Sequence, residues 1–137
     1  MKRDWSLLRQ IMIDVDELPA QSDSGISEED FVKSNPKAFD EDLPVEGRTI
    51  VTAHHMAMLV EKGFARGSVS NFMFGPVSRV KIYGLTFDGH ELLDLIRDKE
   101  VWGQTRNILE KVGSFSKDVL TKVAVEITNK IVTSHLL

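Results

Sequence analysis

The residues best suited to metal or acid–base chemistry lie in the block around His90. His90 and Asp94 are one helical turn apart, and Glu91 directly follows the histidine. Zinc sites normally use three or four ligands, and two side chains on one turn provide too few. A structural hydrogen bond against the neighbouring hairpin explains His90 better. We therefore predict no metal site and no cofactor.

A second pair of residues suggests phosphate chemistry. Arg48 and His54 have the spacing of an arginine and a histidine in some helical ribonucleases, where the histidine is a general base and the arginine holds the phosphate. The sequence has no glycine-rich phosphate loop, and its serines, histidines and aspartates follow no order that indicates a hydrolase. We predict no catalytic residues and no enzyme, with nuclease activity as a minor alternative.

The composition fits one modest globular domain. The chain has 137 residues, 42% of them hydrophobic, which predicts a single domain over residues 1–137. It has no cysteine, which excludes disulfides, zinc–thiolate sites and thiol catalysis. No uninterrupted apolar stretch follows Lys2 and Arg3, so we predict neither a signal peptide nor a membrane span and expect a cytoplasmic protein.

Charge is distributed unevenly along the chain. Residues 14–42 contain ten carboxylates and two lysines, whereas residues 48–81 contain five arginines and lysines and one glutamate. The net charge of −4 argues against indiscriminate binding of nucleic acid. It permits one local basic face, and such asymmetry affects the choice of partner rather than the fold.

Two helices separated by a loop are predicted in the first third of the chain. Apolar residues recur every three or four positions over residues 5–18, and Pro19 ends this helix. Ser27 is placed to cap a second, short helix, which Pro36 stops. Residues 19–44 are strongly acidic, and we interpret their last part as a solvated connector.

A stronger helix is predicted over residues 49–62. It ends at Gly63, because glycine easily adopts the left-handed conformation found just beyond a helix. The helical wheel gives it two faces. The face predicted to be buried contains Thr52, Ala53, Met56, Leu59 and Val60. The open face contains Val51, His54, His55, Met58 and Lys62.

Residues 64–83 are predicted to form a two-stranded hairpin, or wing. Val80 and Ile82 alternate with polar residues, which is the period of a half-buried strand. The connecting loop, residues 68–76, has an unusually apolar centre. Beyond the wing, Thr86 can cap a helix that continues through Gly103 to Val112, and a last helix follows.

These elements predict a mainly α (α+β) protein. Three helices, a hairpin and further helices are the order of a winged helix-turn-helix head, residues 1–86, followed by two C-terminal helices in residues 87–137. The head would include the acidic connector 19–44. The two C-terminal helices exceed what the head needs for cover, so they either form a homodimer or pack on the head.

Two blocks of sequence resemble an uncharacterised protein family. One is Met1-Lys2-Arg3-Asp4 with Leu7-Leu8-Arg9, and the other runs from Leu85 to Asp98, with Trp102 beyond. They resemble the domain of unknown function 2513 family of bacteria and their prophages, and His55, Leu59 and Gly63 fit it too. The acidic insert at residues 20–43 and the long wing tip depart from the family pattern. The resemblance implies a winged-helix-like fold and no established activity.

Our first functional hypothesis is a DNA-binding transcriptional regulator. In a winged helix, the second helix of the turn motif can enter the major groove while the wing contacts phosphates. The middle of helix 49–62 has no Arg, Asn or Gln, the side chains best suited to reading bases. The predicted DNA-binding residues are Arg48, Thr49, His54, His55, Lys62, Arg66, Arg79 and Lys81.

The alternative hypothesis is a protein-interaction module without DNA binding. Val51 and Met58 on the open helix face, together with Phe72, Met73 and Phe74 at the wing tip, would form an exposed apolar patch. The acidic connector would engage a basic partner or mimic the charge of nucleic acid. The sequence leaves both hypotheses open.

Overall fold

The structure, a computed structural model, describes residues 3–19, 25–71, 78–112 and 117–136. These ranges form an α+β fold of six α-helices, one short 3-10 helix and a three-stranded antiparallel sheet. The helices are α1 (Trp5–Asp16), α2 (Glu28–Ser34), the 3-10 helix (Pro36–Ala38), α3 (Val45–Glu61), α4 (Phe87–Ile96), α5 (Lys99–Val112) and α6 (Lys117–Leu136). The strands are β1 (Ile26–Ser27), β2 (Ala65–Asn71) and β3 (Ser78–Leu85).

The first helix, α1, supplies one wall of the core. The Asp4 side chain caps it by accepting the Leu7 N–H at 3.1 Å. Its apolar positions recur at helical spacing, and they are buried against α3, α4 and β3. The buried residues are Trp5, Leu7, Leu8, Ile11, Met12 and Val15. The predicted helix is confirmed, and it ends three residues before Pro19.

The capping prediction at Ser27 is also confirmed. Its hydroxyl accepts the Asp30 N–H at 3.2 Å, and the Asp30 carboxylate accepts the Ser27 N–H at 3.0 Å, which completes a capping box. The adjacent Glu28 is buried and accepts the Val80 N–H at 3.1 Å. The acidic segment therefore forms part of the fold, because one of its carboxylates extends the pairing of β1 with β3.

The helix before the hairpin, α3, begins at Val45, four residues earlier than predicted. The Arg48 N–H donates to the Pro44 carbonyl, and the Arg48 side chain donates to the Leu43 carbonyl at 2.8 Å. These bonds stabilise the first turn of α3, and the helical spacing of apolar residues does not predict them. The end of the helix is as predicted, because Gly63 has the positive φ of 81° that suits glycine.

The sheet has the strand order β1–β3–β2, so the long central strand β3 pairs with both neighbours. Ile26 pairs with Ile82, and Val69 pairs with Val80. Side chains such as Val80 and Ile82 point into the core, and the residues between them point outward. A β-bulge opposite Arg66 makes Tyr83 the extra residue on β3.

Helices α4 and α5 replace the single helix predicted from Thr86 to Val112. The break lies at Arg97 and Asp98, where the Asp98 carboxylate accepts the N–H groups of Glu100 and Val101. The carbonyls that end α4 accept hydrogen bonds from the distant Arg9 side chain. Gly103 lies inside α5 and marks no break.

The start of α4 is fastened to the junction between α3 and β2. The Thr86 N–H donates to the Phe64 carbonyl at 3.0 Å, and the Thr86 hydroxyl donates to the Gly63 carbonyl. The same hydroxyl accepts the Gly89 N–H at 3.1 Å, which confirms Thr86 as the cap. Gly89 is buried directly against the Phe64 carbonyl, which a Cβ at this position would approach to 1.9 Å.

The last helix, α6, is helical throughout and covers the core from the C-terminal side. Leu120, Ala124 and Ile127 are buried against α4 and α5, and Trp5 and Trp102 are core residues as well. Residues 113–116, between α5 and α6, lie outside the described residues. Within the described part of the chain, no helix is long and apolar enough to cross a membrane.

Candidate nucleic-acid interface

The outward side of the β2–β3 hairpin collects three of the predicted cations. Ser68 pairs with Lys81 and Ser70 with Arg79, so these side chains alternate with the buried Val80 and Ile82. We call this surface the hairpin face. It consists of Arg66, Ser68, Ser70, Arg79, Lys81 and Tyr83. Guanidinium, ammonium and hydroxyl groups on one side of a hairpin suit the oxygens of a phosphate backbone.

An acidic neighbour limits the positive charge at one edge of the hairpin face. The Ser27 N–H is the largest cause that lowers the pKa of Asp30, and the nearby Lys81 and Lys33 lower it further. Lys81 pairs with Ser27 in the sheet and is therefore adjacent to this carboxylate. Arg66 and Arg79 lie farther along β2 and β3 and are both exposed.

The prediction that His55 lies on the open face of α3 is wrong. His55 is 1% exposed, because its ring lies between α3 and the start of α1. Its Nε2 accepts the Asp4 N–H at 2.8 Å, and its Nδ1 lies 2.8 Å from the Val51 carbonyl. The helical wheel placed His55 on the open face because the sequence does not indicate that α1 covers that side of α3.

Arg48 is occupied inside the fold rather than on the hairpin face. Besides the Leu43 carbonyl, its guanidinium donates to the carbonyls of Asp40, Glu41 and Pro36 at 3.1–3.4 Å. It also lies 5.6 Å from the centre of the Phe39 ring. These contacts anchor the acidic connector to α3, and they leave Arg48 poorly placed to hold a phosphate with His54 in a nuclease site.

The other predicted residues of α3 are divided between surface and core. Lys62 is exposed, and His54 and Thr49 are half-buried, with the Thr49 hydroxyl donating to the Val45 carbonyl. Val51 and Met58 are half-buried and pack partly against the core. Their predicted companions Phe72, Met73 and Phe74 lie outside the described residues.

His90 has a structural contact, although its partner differs from the one predicted. Its Nδ1 lies 3.4 Å from Asp16 Oδ1 on α1, rather than against the hairpin, and the other oxygen of Asp16 binds Arg97. Over the described ranges, no group of three or more His, Asp or Glu residues is placed to hold a metal. The block around His90 therefore joins α1 to α4.

Sequence reasoning missed the hydroxyl groups of the hairpin face. Ser68, Ser70 and Tyr83 share the side of Arg79 and Lys81, and Tyr83 is 48% exposed. The strand period could have revealed Ser68 and Ser70, because alternate residues of a strand share a side. Tyr83 depends on the bulge as well, and a bulge has no clear sequence signal here.

The described residues define a class, an α+β protein with a basic hairpin beside a helix-covered core. The model of the DUF2513 family, described as a hypothetical protein, matches residues 2–116. Because this match covers most of the chain, the protein belongs to that family, as the two sequence blocks indicated. No curated protein and no solved structure matches the chain.

The residues that carry the family resemblance hold the fold together. Asp4 caps α1, and the Arg9 side chain donates to the carbonyls of Ile96 and Arg97, both at 2.9 Å. Thr86 and Gly89 fasten α4 to the junction between α3 and β2. The two blocks meet in space and explain the architecture, whereas the hairpin face lies largely between them in sequence.

Proposed function

We propose that this protein is a winged-helix protein that binds duplex DNA through the hairpin face, acting as a small regulator. The observation that carries the proposal is the strand register that brings Arg79, Lys81 and Arg66 to one side of β2–β3. In this proposal the cations neutralise phosphates, and the hydroxyls of Ser68 and Ser70 donate hydrogen bonds to phosphate oxygens.

The order of elements supports the winged-helix interpretation. A short strand follows α1, two helices come next, and a hairpin completes a sheet of order β1–β3–β2. In this interpretation α2 and α3 are the turn motif, and β2–β3 is the wing.

The composition of α3 limits how DNA is read. Its first turn exposes Val45 and Glu46, Arg48 is occupied internally, and His55 is buried. No side chain there is suited to bidentate pairing with a base edge. We therefore expect phosphate contacts at the local basic hairpin face, rather than base contacts, to supply most of the affinity for unrelated duplexes.

The test is fluorescence anisotropy with two unrelated duplexes of about 20 base pairs across a salt series. We expect similar affinities for both duplexes and steep weakening with salt. Replacing two phosphate contacts in Arg79→Gln/Lys81→Gln should weaken binding about tenfold or more and reduce the logarithmic salt slope by roughly 1.8.

The matched control is Lys122→Gln/Lys130→Gln on α6, which removes the same charge from two exposed positions. It should leave the salt slope unchanged. If both double variants weaken DNA binding equally, net charge alone explains the loss of affinity, which would contradict a role for the hairpin face. Absence of binding at low salt would contradict the proposal as a whole.

We also propose that the regulator is a homodimer joined through α6. Val125, Val132 and Leu136 are 39%, 51% and 82% exposed, and their spacing of seven and four residues places them on one stripe of the helix. Sedimentation equilibrium at ~100 µM should show dimers that Val125→Lys/Val132→Lys converts to monomers. A wild-type monomer at that concentration would contradict this interface.

A further inference from the structure

An apolar groove lies between α2 and the first two turns of α3, and none of its lining residues belongs to the hairpin face. Its volume is about 490 Å³. Val32 and Lys33 of α2 line one side, and Val45, Thr49 and Ile50 of α3 line the other. Val45 is 68% exposed, and Thr49 turns its hydroxyl to a backbone carbonyl, so the groove presents mainly hydrocarbon.

Both walls of this groove carry a carboxylate. Glu29 lies on the α2 wall and Glu46 on the α3 wall, and both residues are exposed. Residues 28–46 contain seven carboxylates and two lysines in all. Lys33 on the α2 wall offsets one of the two groove carboxylates, and Arg48 is not among the residues that line the groove.

We propose that this groove binds an amphipathic helix of a protein partner with basic residues along both flanks of its apolar face. Two helices with an apolar floor between them suit the apolar stripe of a third helix. A carboxylate on each wall would pair with Lys or Arg on each flank of that stripe. The two carboxylates would also repel a phosphate backbone, which makes nucleic acid the poorer occupant.

A second copy of this chain is a poorer occupant. The described chain offers α6, whose exposed apolar stripe is assigned to the proposed homodimer, and the hairpin face, which is a pair of strands rather than a helix. Joining the hairpin face of one copy to the groove of the next would be a head-to-tail contact, and such contacts propagate into open chains unless they close into a ring. The partner is therefore a different protein.

The proposal is tested with the full chain and synthetic helical peptides of about 14 residues, which span four turns. All peptides have leucines at helical spacing, and their flanks carry lysine, glutamine or glutamate. Fluorescence anisotropy should show that the lysine-flanked peptide binds at least about tenfold more tightly than the glutamate-flanked one. Equal binding of all three peptides, or no binding of the lysine-flanked one, would overturn the proposal.

Two variants locate the binding. Val45→Asp puts a charge on the groove at an exposed helix N-terminus, where aspartate is compatible with the helix, and it should reduce peptide binding at least about tenfold. Glu29→Lys/Glu46→Lys should reverse the preference so that the glutamate-flanked peptide binds better. Unchanged binding by either variant would place the peptide elsewhere and overturn the proposal.

Controls separate this groove from the DNA surface and from general electrostatics. Glu91→Lys/Glu110→Lys makes the same charge change at exposed positions of α4 and α5, and it should not reverse the peptide preference. Arg79→Gln/Lys81→Gln on the hairpin face should leave peptide binding unchanged. Sedimentation of the chain alone should show no species larger than the α6 dimer. If the chain instead forms larger assemblies that Val45→Asp abolishes, the groove binds a second copy, and the choice of a different protein as partner is overturned.

Discussion

Replacing Gly89 with alanine is expected to destabilise the protein by about 3 kcal/mol, a large part of the stability of a single domain. A Cβ at this position would lie 1.9 Å from the carbonyl oxygen of Phe64, a distance that requires one backbone to move. Phe64 cannot move easily, because its carbonyl accepts the Thr86 N–H and its N–H donates to the Leu59 carbonyl at 2.9 Å. The shift would therefore break the attachment of α4 to α3 and β2.

Chemical denaturation monitored by circular dichroism measures this effect. Gly103→Ala is the matched control, because Gly103 is also inside a helix and a Cβ there meets nothing within 4 Å. Alanine has the higher helix propensity, so this variant should gain roughly 0.5–1 kcal/mol. Losses of similar size at both positions would show that the close contact with Phe64 is not the cause.

Acidification below about pH 6.5 is expected to destabilise the protein through His55. The Nε2 atom accepts the Asp4 N–H, and Nδ1 must carry the hydrogen that faces the Val51 carbonyl, so the neutral ring satisfies both partners. A proton on Nε2 would face the Asp4 N–H and break the contact between α3 and α1. Burial is the largest cause of the lowered pKa of His55, and the neighbouring His54 also lowers it. The Val51 carbonyl and Asp4 act in the opposite direction and raise this pKa.

The direction of the pH effect follows from this lowered pKa. The unfolded chain takes up a proton near the ordinary value of 6.5, whereas the folded chain resists protonation to lower pH. The stabilisation is thus complete above pH 6.5 and is lost as the pH falls below it, with a slope of at most about 1.4 kcal/mol per pH unit. The free energy of unfolding should be measured by urea denaturation between pH 7.5 and about pH 5.

A histidine-to-glutamine pair provides the control. His55→Gln removes the titrating ring and should flatten the pH dependence at a lower overall stability, whereas His54→Gln should retain the slope. The lowered pKa of Asp30 affects stability only near and below its ordinary value of 3.8, outside this range. A flat profile in the wild type, or a slope that His54→Gln removes, would show that His55 does not control acid stability.

Local signals in the sequence were sufficient for most element ends. Ser27 and Thr86 act as caps through hydrogen bonds to residues three positions away, and Gly63 ends α3 through its own backbone conformation. Each of these interactions lies within one turn, so the residue types and their spacing contain the information.

Contacts between distant residues explain what the sequence did not predict. The break between α4 and α5 depends on Asp98 and on Arg9, which is 87 positions away from Ile96. The burial of His55 depends on its contact with Asp4, 51 positions away, and a helical wheel of α3 alone cannot show this contact. For the candidate interface, the alternation of β3 located Arg79 and Lys81, whereas the inward turn of Arg48 could not be foreseen.

The hydrogen bonds from Arg9 to the last carbonyls of α4 determine which parts of the chain fold as one unit. Arg9 also lies 5.6 Å from the centre of the Trp102 ring, so one side chain of the first helix completes the end of α4 and packs on α5. A fragment that stops after β3 would lose these partners and expose the apolar side of α1 to water. The head and the helical extension are thus expected to fold and unfold together. Recombination could therefore not exchange either part alone for that of a related protein without loss of stability.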